Sequence, residues 1–364
     1  ATYLADELGD MPESSLSSRE RVIRAIGRQP TDVLPAAPLI LDLAAKYHGV
    51  SIGAFATDGR VMSEAQIALQ AELQQDVIFV GLDNYYIAEG FGCEIDVPED
   101  EIPHLRKPAV DNIADVYSLK VPSPRSDGRM PVMLEATRWV REELGDDIAV
   151  RTPGTGPFAL ASYFVGTQQF LVEVGLAEAG LPEGQPEAIH FALDLAADAL
   201  IEFGKACWDA GSDLLHCGDS LASCDMISPA QYEKWAFPYQ QKVIKAWKKY
   251  GARTLLHICG DSTKVLDLYA QTGADVVEID HRVDLAYAKQ RIGGQTCLLG
   301  NVDTVSTLLL GTTQGVRAAS ENCIAQAGAG SAYMLGSGCM VSRNTPIENV
   351  KALVDTAHSQ PNEF

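Results

Sequence analysis

Residues 255–261 read Leu-Leu-His-Ile-Cys-Gly-Asp. Side chains alternate faces along a strand, so His257 and Cys259 point the same way and Ile258 points the other. An imidazole and a thiol on one face are metal-type donors. A further cysteine, Cys339, lies in "MLGSGCMVSRNTP". Each cysteine adjoins a glycine, Gly260 or Gly338, as happens where a chain turns off a strand. One imidazole and two thiolates form a soft, tetrahedral set that suits zinc. Three protein ligands leave a fourth position for a substrate, which is the catalytic pattern. The plain alternative is three ordinary buried residues. A rival group, His216, Cys217 and Cys224, is a poor chelate because His216 and Cys217 are adjacent and face opposite ways.

These donors need a frame. Short apolar runs recur at 34–41, 77–82, 148–152, 213–217, 252–258, 274–280, 296–303 and 331–337. Helical patterns follow, among them 187–210, 229–250, 262–272, 283–291, 312–328 and 345–358. Doubly apolar strands in βα alternation predict a parallel sheet covered by helices. Eight such units predict an α/β fold, a closed (β/α)8 TIM barrel whose function sits at the C-terminal strand ends. His257 and Cys259 end the fifth run and Cys339 ends the eighth, across the mouth. Ser17 and Glu20 form a capping box that opens a first helix, which Pro30 ends. Thr345 is expected to cap the last helix. The whole chain, 1–364, reads as one domain. It has an N-terminal helical extension over 1–30 and a polar, proline-spotted insertion over 83–147 above the mouth.

Other polar residues sit at strand ends. Asp219 and Ser220 follow the fourth run and are candidates for proton transfer or substrate contact; Gly218 frees the approach to Asp219. Glu278 and Asp280 end the sixth run, and Glu278 is a candidate displaceable fourth ligand. Asn301 and Asp303 end the seventh. Asn301 is a candidate substrate contact, and either could orient His257 through its free ring nitrogen. Each also fits the plainer role of a loop cap.

Forty-nine acidic against 28 basic residues give a net charge of −21. That excess argues against nucleic acid and against an anionic membrane surface as partners. No apolar stretch reaches the roughly 20 residues of a membrane helix. The N-terminus, "ATYLADELGDMPESS", lacks a basic-then-apolar signal pattern. The eight cysteines are scattered, unlike a secreted disulfide framework. A cytoplasmic protein is expected.

The chain resembles the uroporphyrinogen decarboxylase superfamily, and within it the zinc-dependent corrinoid methyltransferases. The resemblance runs through "RERVIRAIGRQPTDVLPAAP", "GTGPFALASYFVG", "DSLASCDMISPAQYEKWAFPYQQKVI", "LHICGD", "GADVVEID", "LLGNVD" and "GCMVSRNTPIENVKAL". It implies that His257, Cys259 and Cys339 carry zinc. It also implies methyl transfer to or from the cobalt of a corrinoid. No DxHxxG motif, the mark of corrinoid-binding proteins, occurs in these residues, so the cobalamin is expected on a separate protein docked over the mouth. The decarboxylase branch fits less well. "DLAAKYHGVSIGAFATDGR" lacks its arginine-bearing motif, although Asp83 stands where that branch keeps a catalytic Asp.

Zinc chemistry serves two directions. As a Lewis acid it can bind an ether oxygen and ease the departure of an alkoxide or phenolate; alternatively it can bind an acceptor thiol as thiolate. Tyr85, Tyr86, Tyr163 and Phe164 offer aromatic walls, which favours an O-demethylase acting on methoxylated aromatic compounds. Methylation of a thiol such as coenzyme M is the alternative. A sulfonated thiol would need a cation at the mouth, for which Arg151 and Arg343 are the candidates.

Overall fold

The apolar runs pair as strands, each buried on both faces. The protein is described from a computed structural model covering residues 15–152, 154–327 and 332–360. Strand β1 (Val77–Phe79) is followed by an antiparallel hairpin, β2 (Glu94–Asp96) and β3 (His104–Lys107). Then come β4 (Ala149–Arg151), β5 (Leu215–Gly218), β6 (Thr254–His257), β7 (Val276–Glu278), β8 (Cys297–Val302) and β9 (Tyr333–Ser337). β1 pairs with β4, and β5 through β9 pair in chain order, all parallel. A bridge from Arg151 to Leu214 joins the two sets. The remaining barrel stave is the segment around 35–41. It bridges β9 through Ala36–Leu335 and Leu39–Met340, and the Ala36 carbonyl accepts from Asp76 N–H of the β1 side at 2.8 Å. The circle is therefore closed, and the fold is a (β/α)8 barrel.

Helices Gly59–Leu73, Met130–Leu144, Pro186–Asp209, Phe237–Lys249, Leu266–Thr272, Leu285–Ile292, Thr313–Ala327 and Ile347–His358 follow the staves and form the outer layer. Met130–Leu144 lies within the span expected as insertion. It packs so closely on Gly59–Leu73 that a Cβ on Gly59 would lie 2.7 Å from the Val132 carbonyl oxygen. It is one of the barrel's own helices, and the extra material is confined to 83–129. Residues 1–14 of the expected extension, Gly328 and Ser331 lie outside the described residues.

Two cap expectations are corrected. The first helix, Ser18–Ile26, takes Ser17 as its cap, but Glu20 pairs with Arg24 instead of returning to Ser17. The helix stops at Gly27, ahead of Pro30. At the last helix the cap position is Pro346, and the buried Thr345 hydroxyl oxygen has no partner.

Strand alternation divides the barrel interior into layers. Val77, Ala149, Leu214, Leu255, Val276, Cys297 and Met334 form an apolar lower layer with Val22 and Ala25 of the first helix, which plugs the bottom. Two residues further along four of the strands stand Phe79, Arg151, His216 and His257, with Glu278 two beyond Val276. The upper layer is therefore polar and lies directly under the mouth. No helix among the described residues is long and apolar enough to cross a membrane.

Asp76 locks the plugged end. Its carboxylate takes Arg21 at 2.5 Å, the Ala36 N–H at 2.7 Å and His358 at 2.9 Å, and it is fully buried. Burial pushes this carboxyl up, but His358, Arg21 and the Ala36 N–H together hold it below its usual range. A depressed carboxylate contributes stability above the unfolded pKa of about 3.9 and loses it as pH falls through the folded value. Asp76→Ala is expected to cost roughly 1–3 kcal/mol, because the buried Ala36 N–H loses its acceptor and Arg21 keeps Asp32 as its remaining carboxylate, and to flatten the acid limb of Tm against pH.

Candidate metal centre

His257 and Cys259 leave the end of β6 on one face, as alternation requires. Cys339 arrives from the end of β9, where the turn needs a glycine. A Cβ on Gly338 would lie 2.5 Å from the His281 nitrogen. Gly260 has φ +87°, and a Cβ there would meet the Asp225 carboxylate at 2.4 Å. The two glycines let both cysteines approach the same point. His257 Nε2 lies 3.0 Å from Cys259 Sγ, and Cys259 Sγ lies 2.9 Å from Cys339 Sγ. The three donor atoms are all within 4.8 Å of one another. The sulfurs are too far apart for a disulfide, whose bond is about 2.05 Å.

The donor set fits zinc. A tetrahedral ion with Zn–S bonds of about 2.3 Å separates its sulfurs by roughly 3.8 Å, so small side-chain rotations would admit it. The Cys259 and Cys339 sulfurs share a hydrogen bond. That bond, with His257 beside it, holds Cys339 below its ordinary range against burial. Cys259 is pushed up by the same contact and by burial. Burial opposes a charge on His257, yet Glu278 and Cys339 raise it to about 9. Metal entry must expel these protons, so uptake tightens as pH rises.

Each donor has a supporting partner. Ser220 favours the thiolate form of Cys259, and the Met340 backbone that of Cys339. His257 Nδ1 lies 3.2 Å from Glu278 Oε2 and 3.3 Å from the Glu278 carbonyl. Glu278 is fully buried, and Arg151 grips both its oxygens at 2.8 and 2.7 Å. Burial raises this carboxyl, but Arg151 and then His257 outweigh it and hold it below the usual range. Arg151 also reaches His216 Nε2 at 3.1 Å. Burial first, then Arg151 and His257, keep the His216 imidazole neutral, far below its ordinary pKa.

Several expectations are corrected here. Glu278 stands on the Nδ1 side of His257, outside the cluster of three donor atoms, which is the place of a partner to the imidazole and not of a fourth donor. It also takes the orienting role expected of Asn301 or Asp303. Asn301 spends its amide on the Asp280 and Val283 carbonyls at 3.1 and 2.9 Å, and Asp303 caps the turn at Val305 and Ser306. Arg151 is 2% exposed and committed to Glu278, so it is no anchor for a substrate anion. Arg343 donates to the Asp100 carbonyl in the insertion at 2.6 Å.

The other candidates are distributed around the rim. Asp83 is bound by Arg129 at 2.6 and 3.0 Å, with Glu89 on the same guanidinium. Asp219 is buried under the N-terminus of helix Pro157–Val165. It accepts from Phe158, Ala159 and Gln240, and burial still lifts it to about 6. Tyr85 and Tyr163 lean together at 4.7 Å, whereas Tyr86 is wholly buried against Phe203. Sequence reasoning missed the Arg151–Glu278–His216 group as a unit. The signal was present: opposite charges inside doubly apolar strands, "AVR" and "VVE", must find each other.

Residues 17–360 match the uroporphyrinogen decarboxylase (URO-D) family. A methylcobamide:CoM methyltransferase, MtbA, of Methanosarcina acetivorans is 31% identical over 93% of this chain and 97% of its own length. A uroporphyrinogen decarboxylase of Carboxydothermus hydrogenoformans is 29% identical over 74% of each chain. Among solved structures, a methyltransferase from Methanosarcina mazei superposes with a TM-score of 0.84 at 25% identity, covering 94% of this chain and 98% of that one.

Proposed function

The chain belongs to the uroporphyrinogen decarboxylase family, and we propose that within it the chain is a zinc-dependent methyltransferase working with a corrinoid protein. The convergence of His257, Cys259 and Cys339 carries this choice over decarboxylation. We further propose that the methyl group passes from a methylcobamide to a small thiol. Relatives named for methylcobamide and coenzyme M support the thiol over the methoxylated aromatic compound first favoured. So does the burial of Tyr86, which removes one of the expected aromatic walls.

In this reading His257, Cys259 and Cys339 would hold zinc, which would supply Lewis acidity that favours the acceptor sulfur as a thiolate at neutral pH. Glu278 fixes the ring of His257 with its Nε2 toward the cysteines. Ser220 and the Met340 backbone favour the thiolate form of the two cysteines. The acceptor loses its thiol proton and gains a C–S bond, while the electron pair of the Co–C bond stays on cobalt. The corrinoid is carried by a separate cytoplasmic protein that docks at the mouth.

The test is thiol-dependent demethylation of methylcobalamin by the purified chain. Activity with coenzyme M, lost on chelation and restored by zinc, is expected. Demethylation of a methoxylated aromatic in place of thiol methylation would return the reading to the ether; turnover unaffected by chelation would contradict zinc.

A further inference from the structure

Arg151 stands in the polar layer of the barrel, one step behind the donor cluster. It is held on three sides. Both Glu278 oxygens accept from it at 2.8 and 2.7 Å. The His216 Nε2 is 3.1 Å from its Nη2; a guanidinium only donates, so that nitrogen accepts. The guanidinium carbon lies 5.4 Å from the centre of the Phe79 ring. Glu278 in turn reaches His257 Nδ1 at 3.2 Å, while Nε2 of the same ring faces Cys259. The carboxylate therefore sits one imidazole away from the position a metal would take.

We propose that Arg151 is a positioning residue that keeps Glu278 behind His257 and out of the metal's coordination sphere, so that the fourth position stays open to the acceptor thiol. The inference rests on the zinc reading above. Its physical basis is charge. Two thiolates, a neutral imidazole and Zn²⁺ sum to zero, and so do Arg151 and Glu278. Each half is separately neutral in a buried setting. Turning Glu278 onto the metal would leave the Arg151 cation unpaired inside the barrel, which is strongly unfavourable. Without Arg151 the balance reverses: Glu278 becomes the unpaired charge, and the metal is the nearest cation. A carboxylate is a competent zinc ligand, and it would then close the site. His216 and Phe79 brace the guanidinium against following Glu278 forward.

The experiment uses the full chain loaded with Co²⁺, whose visible spectrum reports coordination, and coenzyme M as probe. Wild type should change its spectrum when coenzyme M binds. Arg151→Met should keep stoichiometric metal, show an altered thiol-free spectrum, and raise the coenzyme M requirement by about 10- to 100-fold. Adding Glu278→Gln to Arg151→Met should restore thiol entry, because the competing carboxylate is gone. A merely structural role for Arg151 would give no such rescue. Glu278→Gln alone, at saturating metal, should keep the wild-type thiol-free spectrum, since Glu278 is not a ligand; it decides the matter if Arg151→Met fails to fold. An altered thiol-free spectrum in Glu278→Gln, or coenzyme M binding at wild-type strength in Arg151→Met, overturns the clamp alone. A wild-type chain that takes up neither zinc nor cobalt overturns the zinc reading and the clamp together.

Discussion

Cys339→Ser is expected to fold normally and to lose both zinc and methyl transfer. The substitution is nearly isosteric, and Cys339 is only part-buried at the rim, so the barrel beneath has little reason to respond. Its chemistry changes completely, because a serine hydroxyl replaces a soft thiolate in a set of three donors. Loss of a mere partner of a ligand costs 10- to 100-fold in metal affinity or activity. Removal of the ligand itself should therefore exceed about 100-fold. Metal analysis beside a melting curve checks it: zinc well below one per chain with Tm within a few degrees of wild type. Full zinc and full turnover in this variant would remove the basis for the metal centre.

The second large effect concerns stability. Glu278→Ala leaves Arg151, 2% exposed, as an uncompensated cation inside the barrel. Breaking such a pair from one side costs roughly 3–5 kcal/mol. Replacing both partners with neutral groups of similar volume is often close to neutral. Arg151→Met with Glu278→Gln should then be more stable than Glu278→Ala alone, recovering most of the loss in denaturant unfolding. Additive losses in the double variant would mean that the pair is not coupled. In Glu278→Ala, His257 keeps the main-chain carbonyl of residue 278 at Nδ1 but loses the neighbouring carboxylate charge, so metal affinity should fall alongside stability.

The barrel was legible in the sequence because its signals are local. Each stave is a short apolar run bounded by turns, and the alternation rule alone placed His257 and Cys259 on one face. Alternation also separated His216, inside the barrel, from Cys217, packed among the residues outside it. What stayed hidden depended on pairing across the interior. Arg151 read as a possible anion anchor because its partner lies 127 residues away. Glu278 read as a ligand because a strand-end carboxylate looks the same whether it faces the metal or the back of the histidine. Tyr86 follows Tyr85 directly, and only the packed chain shows that one ring leans on Tyr163 while the other is buried against Phe203. The insertion was overdrawn for a related reason. Met130–Leu144 is a regular outer helix, but the proline-spotted stretch before it masked where the barrel resumed.

The proposed centre is a zinc ion held by one nitrogen and two sulfurs, with one position open to a thiol. X-ray absorption at the zinc edge, on the purified chain before and after addition of coenzyme M, tests it most directly. The expected result is two sulfurs and two lighter atoms without the thiol, and three sulfurs with it. A sulfur count that stays at two when thiol is present, or a chain that binds no zinc, would contradict the account.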